Sequence, residues 1–355
     1  MKINGVQYRT VWMEQAVVKM INQAILPHLF KIEELKTHRD TARAIKDMIV
    51  RGAGAIGAAA GYGMAQAVLE APDTSRFLDF VLEGSHTLAG TRPTAQNLFY
   101  AIDRVWSAAR QAGSVEEARR RAVEAAKLIA EEDVASCTSI GCHGAPLIKD
   151  GARVLTHCNA GWLAFVDWGS ALAPVYTAAR KGKSVFVFAD ETRPWNQGSR
   201  LTSFELMNEG INHAIIPDNA AGLLMQRGEV DLVIVGADRI AANGDVANKI
   251  GTFEKAVVAH ELGIPFYVAA PTSTIDPDCP GGSRIPIEER SEDEVLYCSG
   301  LLDTGEFGRV RLAPPGARAR NLAFDVTPAR YITGIITQNG VFAPAEILKA
   351  PMDKG

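Results

Sequence analysis

The chain predicts an α/β protein: a mainly helical N-terminal domain that opens with a small β element, followed by a Rossmann-like C-terminal domain built on a parallel sheet. Three observations carry this expectation. From Gly151 onward, short apolar runs rich in Val, Ile and Leu alternate with helix-length segments, the rhythm of right-handed βαβ units. Between Thr41 and Ile148 the apolar residues recur at helical spacing instead. Gly182, Gly210, Gly228 and Gly263 follow the helix-length segments, where a C′ glycine closes a helix. The expected domains are 1–120, helical, and 121–355, the Rossmann-like catalytic domain, with a helix over 115–148 linking them.

Residues 5–35 alternate loosely, as in Val6-Gln7-Tyr8-Arg9-Thr10-Val11-Trp12, and predict a short antiparallel hairpin. Ile45, Met48 and Ile49 lie at helical spacing after Thr41, and Ala58 to Leu69 reads as an Ala-rich helix. Leu98, Ile102 and Val105 form one stripe of a helix over Thr94 to Ala112 that starts beside Pro93, and Val115 to Ile148 reads as a long charged helix. The strands predicted next are 153–157, 184–189, 213–216, 231–235 and 265–269. The helices between them are 162–180, 200–209, 219–227 and 252–262. After Pro271 periodicity is lost: Glu288 to Glu294 reads as a solvated acidic face, and 321–336 as a final packed segment.

Composition narrows the function. The 355 residues are ample for a large core; 47% are hydrophobic and 22% charged, ordinary for a soluble globular protein. A net charge of −4 gives no electrostatic footprint for nucleic acid. No apolar stretch approaches the ~20 residues of a membrane span. The segment Met1-Lys2-Ile3-Asn4-Gly5 lacks a signal-peptide core, so the cytoplasm is the expected compartment. Five cysteines, an odd number in a long chain, argue against a disulfide framework. Cys137, Cys142 and His143 are spaced too loosely for a metal site without a second ligand pair, and read as buried helix-end residues.

The chemistry concentrates at strand ends, where open α/β sheets bind their ligands. Val154-Leu155-Thr156-His157 leads into Cys158-Asn159-Ala160-Gly161, and Asp231 to Val235 leads into Gly236-Ala237-Asp238. A thiol and a carboxylate so placed can face one reacting centre. Cys158 is either an inert small apolar residue or a thiol activated by neighbouring N–H groups. Asp238 either caps a turn or, desolvated by its apolar neighbours, is raised toward general-acid work. His157 points to the opposite face of its strand from Cys158, so the two do not form a Cys–His pair. Gly52-Ala53-Gly54-Ala55-Ile56-Gly57 matches GxGxxG, but lacks the preceding strand and the following acidic strand end of a dinucleotide site. It reads better as a turn whose N–H groups approach an anion beside Arg51, or as a tight helix–helix turn. Arg92 is either a phosphate clamp or a surface charge, and Lys249 before Gly251-Thr252 either an anion cradle or a solvated lysine.

Taken together, Arg51 to Gly57, Thr91-Arg92-Pro93-Thr94, Thr156 to Gly161, Glu191 to Pro194 with Gln197-Gly198, Asp218-Asn219, Gly236 to Asp245 and Asn248 to Thr252 resemble the methylthioribose-1-phosphate isomerases, in order and over nearly the whole chain. The same fold serves regulatory subunits of a translation-initiation exchange factor and ribose-1,5-bisphosphate isomerases. The resemblance implies conversion of an aldose 1-phosphate to the ketose 1-phosphate without metal or nucleotide, by a homodimer in methionine salvage. It implies Cys158 and Asp238 as the catalytic pair, and Arg51, Ala53, Gly54, Arg92, Gln197, Asn248 and Lys249 as substrate contacts. Its alternatives are 5-deoxyribose 1-phosphate, ribose 1,5-bisphosphate, or a non-catalytic exchange-factor role. Two features depart from the pattern. Gly54 stands where the family usually has Pro, and Trp162, Phe165 and Trp168 follow the Cys-Asn-Ala-Gly turn. Trp162, on the first turn after Cys158, is expected either beside the sugar C5, where it would set specificity, or in the core.

Overall fold

In the computed structural model, which describes residues 1–92 and 95–351, the chain opens with a two-stranded ladder, β1 (Lys2–Ile3) and β2 (Val6–Gln7). An antiparallel sheet of three strands follows: β3 (Val11–Glu14), β4 (Val17–Ile21) and β5 (Ile32–Leu35). Thr37 then starts α1 (His38–Lys46) with a reciprocal cap, its hydroxyl accepting the Asp40 N–H and the Asp40 carboxylate accepting the Thr37 N–H. Helices α2 (Ala53–Glu70), α3 (Phe77–Ala89), α4 (Gln96–Arg110) and α5 (Val115–Gly144) complete the helical part. Every residue of α2 from Gly54 to Val68 is buried, as a helix of small and apolar residues on all sides requires, and α1, α3, α4 and α5 pack around it. Met48 and Ile49 lie beyond α1, which ends at Lys46, and Met48 reaches the cleft described below. The expected helix start at Pro93-Thr94 falls outside the described residues.

The parallel sheet is built from β6 (Ala152–Thr156), β7 (Val185–Asp190), β8 (Asn212–Ile216), β9 (Leu232–Val235), β12 (Phe266–Ala269) and β17 (Gly334–Thr337), with β18 (Gly340–Phe342) antiparallel at one edge. Its order is β18-β17-β12-β9-β6-β7-β8. The first strand of the sheet therefore lies inside it. The chain works outward through β7 and β8, then returns to lay β9, β12 and β17 on the other side. This is the doubly wound order, and it reverses between β6 and β9. One face, with Val154, Val187 and Ile234, packs on α5 and α6 (Ala173–Arg180); the other, with Leu155, Val233 and Val268, packs on α8 (Ala221–Gln226) and α9 (Thr252–Glu261). The four helix-closing glycines all adopt left-handed backbone.

Two regions differ from expectation. The predicted helix over 162–180 is helical only from Ala173, after a single 3₁₀ turn at Trp162–Ala164. Buried carboxylates take the backbone N–H groups that a helix would have used: Glu205 accepts from Trp162 and Leu163, and Asp133 accepts from Val166. After β9 the chain also forms a second, four-stranded sheet, β13-β10-β11-β16, from β10 (Arg239–Ala241), β11 (Val246–Lys249), β13 (Ile275–Asp276) and β16 (Phe324–Thr327). A hairpin of β14 (Tyr297–Leu301) and β15 (Phe307–Arg311) lies between. These strands are short and, apart from the local β10–β11 hairpin, pair over long sequence distances, as in Val246 with Thr327, so no local alternation announces the sheet.

Gly236, just past β9, holds the two central strand ends together: a Cβ there would lie 2.6 Å from the Ala160 Cβ. Gly236→Ala is expected to destabilise the protein by about 1–3 kcal/mol through overpacking, read as a lower denaturation midpoint. It should also cost activity, because the loops bearing Cys158 and Asp238 must part to admit the methyl group.

Candidate active site

The reversal between β6 and β9 leaves a crevice at the C-terminal ends of the strands, roofed by the start of α2 and by the second sheet. Its walls include Arg51, Ala53, Arg92, Cys158, Gln197, Asp238, Asn248 and Lys249, which the sequence scatters over two hundred positions. Gly54 is one step off this wall. It faces an adjoining cavity on the other side of the first α2 turn, where a Cβ would overlap the Asp133 carboxylate and the Phe165 ring. Those two side chains fill the space next to Gly54, so only glycine fits there. The GxGxxG segment itself is the capped start of α2, with Gly52 at φ 92°, and follows no strand.

Cys158 sits immediately past β6 in left-handed backbone, φ 66°, a conformation a non-glycine residue holds only when its surroundings enforce it. Two buried threonines enforce it here. The Cys158 N–H donates to Thr192 Oγ1 at 2.8 Å, and its carbonyl accepts from Thr202 Oγ1 at 2.7 Å. The thiol is thereby turned into the cleft, only 8% exposed. Arg51 is braced by the next residue: its guanidinium donates to Asn159 Oδ1 at 2.7 Å and to the Asn159 carbonyl at 3.0 Å.

Asp238 stands across the crevice in the turn from β9 to β10. Burial among protein groups pushes its carboxyl above the ordinary aspartate value, while Lys249, Arg51 and Arg92 pull it back. The residue is nonetheless exposed to the cleft, which limits the rise. Lys249, at the end of β11, lies with its Nζ 4.8 Å from the Phe324 ring centre. Its burial lowers the ammonium pKa, offset by Cys158 and Asp238. Arg92 is lowered by burial as well. Gln197 is buried, and its Oε1 meets no donor among the described residues. A buried acceptor without a partner on a cleft wall suits a hydroxyl group of a bound molecule.

Arg290 completes the cationic ring, and sequence reasoning missed it. It lines the cleft and pairs with Glu294 at 2.5 Å, and both side chains are mostly buried. Glu288 is half-buried and acts electrostatically on Arg92 and Asp238, so the run from Glu288 to Glu294 is no simple solvated face. A basic residue inside an acidic run was the available signal. Trp162 is wholly buried in the core and off the cleft wall; Phe165 lines the cleft in its place. The cause is the extended loop described above, which turns the Trp162 ring inward.

His157 follows the end of β6 and also borders the cleft, but its ring is held by partners other than Cys158. Its Nδ1 is 2.7 Å from Asp190 Oδ2 and its Nε2 is 2.8 Å from the Ile250 carbonyl, so Nε2 carries a proton and ties β6 to the segment after Lys249. His157, Asp190 and Asp218 approach closely enough to suggest a metal centre. Most of their donor atoms are engaged: Asp218 accepts the Thr192 and Arg193 N–H groups, and Asp190 Oδ2 meets His157 and, at 3.5 Å, the Lys255 ammonium, while Asp190 Oδ1 has no partner among the described residues. The Lys255 cation already supplies positive charge beside Asp190.

Cys158, on strained backbone, and the raised Asp238 carboxyl thus line one pocket together with five cationic residues, Arg51, Arg92, Arg239, Lys249 and Arg290, a layout suited to acid–base chemistry on a phosphorylated small molecule. Residues 49–344 match the model of the initiation factor 2 subunit family. A methylthioribose-1-phosphate isomerase of Methylorubrum populi is 50% identical over 98% of this chain and 96% of its own length. The chain belongs to the initiation factor 2 subunit family and, within it, to the methylthioribose-1-phosphate isomerases. Among solved structures of the family, 5-methylthioribose 1-phosphate isomerase from Pyrococcus horikoshii OT3 superimposes with a TM-score of 0.87 at 45% identity, covering 97% of this chain and 95% of that one. A structure titled translation initiation factor eIF-2B, subunit delta, from A. fulgidus is similar too, with a TM-score of 0.85 at 43% identity over 96% of this chain and 98% of that chain. No helix among the described residues is long and apolar enough to cross a membrane.

The lowered ammonium of Lys249 has a measurable sign. Phosphate affinity should fall as pH rises through that pKa, on an alkaline limb below the ordinary lysine value of 10.5, because the neutral amine no longer pairs with the anion. Titrating inorganic phosphate binding against pH checks this. Lys249→Arg, whose guanidinium stays charged, should move the limb to higher pH; an unmoved limb assigns it to another group.

Proposed function

We infer that this chain isomerises 5-methylthioribose 1-phosphate to 5-methylthioribulose 1-phosphate, a step of methionine salvage. The observation that carries the reading is the opposition of Cys158 and Asp238 at the two switch-point strand ends, over a cationic pocket, in a chain half identical to relatives of that name. Arg51, Arg92, Lys249 and Arg290 hold the phosphate, with the N–H group of Ala53 at the start of α2. Gln197 Oε1 accepts from a sugar hydroxyl, and Asn248 steadies the Lys249 turn through its bond to Thr252 at 3.0 Å. Phe165 offers an apolar wall to the C5 substituent, favouring methylthio over a second phosphate, whose charge would need donors of its own.

A phosphate on O1 blocks the usual opening of the hemiacetal. The C1–O4 bond must break as O4 gains a proton. C2 then gives hydrogen to C1, either as hydride or as a proton relayed by a base, and O2 loses its proton as the C2 carbonyl forms. C2 is oxidised and C1 reduced, so the reaction is internally balanced and calls for no external electron acceptor. Asp238, raised above the ordinary aspartate range and open to the cleft, supplies or collects the proton, and Cys158 is its partner on the opposite side.

The likeness to the A. fulgidus structure favours one second reading, a non-catalytic subunit of an exchange factor. A binding module has no chemical need for the opposed thiol and carboxyl. We further propose a homodimer formed through the parallel-sheet domain and a cytoplasmic enzyme; light scattering that reports only monomer at micromolar concentration would overturn the dimer.

The purified protein, with no cofactor added, should convert 5-methylthioribose 1-phosphate in preference to 5-deoxyribose 1-phosphate and ribose 1,5-bisphosphate. Turnover of none of the three sinks the enzyme reading. Cys158→Ser and Asp238→Asn should each lower kcat by ~10²–10⁴-fold while phosphate still binds. A loss smaller than about tenfold in either variant would make that residue structural.

A further inference from the structure

Glu205, on α7 (Ser203–Asn208), lies below the cleft floor, fully buried and outside the set of residues that line the pocket. Its carboxylate meets four donors. Oε2 accepts from the Tyr176 hydroxyl at 2.5 Å and the Trp162 N–H at 2.9 Å; Oε1 accepts from the Asn159 amide at 2.9 Å and the Leu163 N–H at 3.0 Å. Every partner is a donor, so the geometry accommodates the ionised form without a misfit. Burial pushes the group up to about 7 even against the pull of those four bonds. Gly161 makes room for the arrangement, since any Cβ there would overlap the carboxylate.

The Asn159 amide is the link from this carboxylate to the cleft. Its nitrogen donates to Glu205 and, at 3.2 Å, to Thr202 Oγ1, whose hydroxyl in turn donates to the Cys158 carbonyl. Its oxygen accepts from Arg51. Only one orientation of the amide serves both neighbours. Rotated by half a turn, it would set NH₂ against a guanidinium and a carbonyl against a carboxylate. An acceptor-only group behind the nitrogen is therefore what presents the oxygen to Arg51.

We propose that Glu205 is a positioning residue for this site: by orienting the Asn159 amide it sets the Arg51 guanidinium for the substrate phosphate and fixes the turn that carries Cys158. The inference rests on the isomerase reading for the identity of the substrate, and can be tested without turnover because inorganic phosphate probes the same cations. Removing the charge at constant shape, Glu205→Gln, leaves one acceptor oxygen among four donors and places an NH₂ against the others. The amide of Asn159 then loses its reason to face Arg51 with oxygen.

The test is a double-mutant cycle with Arg51→Ala, reading the Kd of inorganic phosphate and, where there is turnover, KM and kcat separately. Glu205→Gln is expected to weaken phosphate binding by about tenfold and to raise KM by more than it lowers kcat, while in the Arg51→Ala background the same change alters Kd by less than about twofold. Equal losses in both backgrounds, or an unchanged Kd with a lower denaturation midpoint, would show a residue that only supports the fold. If Glu205→Gln does not fold, Tyr176→Phe replaces it. That variant keeps the carboxylate and three of its bonds, and should give a smaller loss in phosphate affinity that again disappears without Arg51; no loss overturns the proposal. Should the wild-type protein turn over no sugar phosphate and the phosphate cycle still show coupling, the isomerase reading falls and the positioning role stands. Should turnover be present and coupling absent, the reverse holds.

Discussion

The reversal of strand order between β6 and β9 is the constraint on which the site depends. Neighbouring parallel strands whose crossovers leave in opposite directions cannot both be covered at their C-terminal ends, so a crevice opens there. Cys158 and Asp238 belong to the two loops that bound it. The loops approach so closely that Gly236 has no space for a side chain against Ala160. Everything else in the cleft is arranged around this contact: α2 brings Arg51 from the helical part, and the second sheet brings Asn248 and Lys249.

Under the crevice, buried charge replaces regular secondary structure. The loop from Gly161 to Leu172 would leave backbone N–H groups unpaired in the interior, at a cost of about 1–3 kcal/mol each. Glu205 and Asp133 accept from those groups and so permit a non-helical path in the core. That path turns Trp162 into the core and Phe165 onto the cleft wall. On the other side, His157 and Asp190 tie the end of β6 to the Ile250 carbonyl, next to Lys249. Two buried acids, Glu205 and Asp190, thus anchor the two halves of the cationic ring to the same strand end.

The electrostatics follow from this enclosure. Arg92 and Lys249 give up hydration and become less basic, while Asp238 becomes less acidic. The cations and the acid partly offset one another, and Arg51 and Arg290 repel Arg92 across the cleft.

Local sequence determined the elements whose signals are local. Mainly apolar runs marked β6, β7, β9 and β12, because a strand covered on both faces must be largely apolar. Glycines marked the helix ends, because left-handed backbone disfavours other residues. Cys158 and Asp238 were legible as a pair, because a doubly wound sheet brings its strand ends to one edge. Only the tertiary structure decided the rest. The helix expected at Trp162 gave way to a loop because Glu205 and Asp133, distant in sequence, captured its N–H groups. The second sheet joined a local hairpin, β10–β11, to strands paired with it across long separations. Arg290 reaches the cleft, and Glu205 reaches Asn159 beneath it, only through contacts that close in three dimensions. Periodicity records which face of a segment is buried; it carries no record of which distant polar group will meet it there.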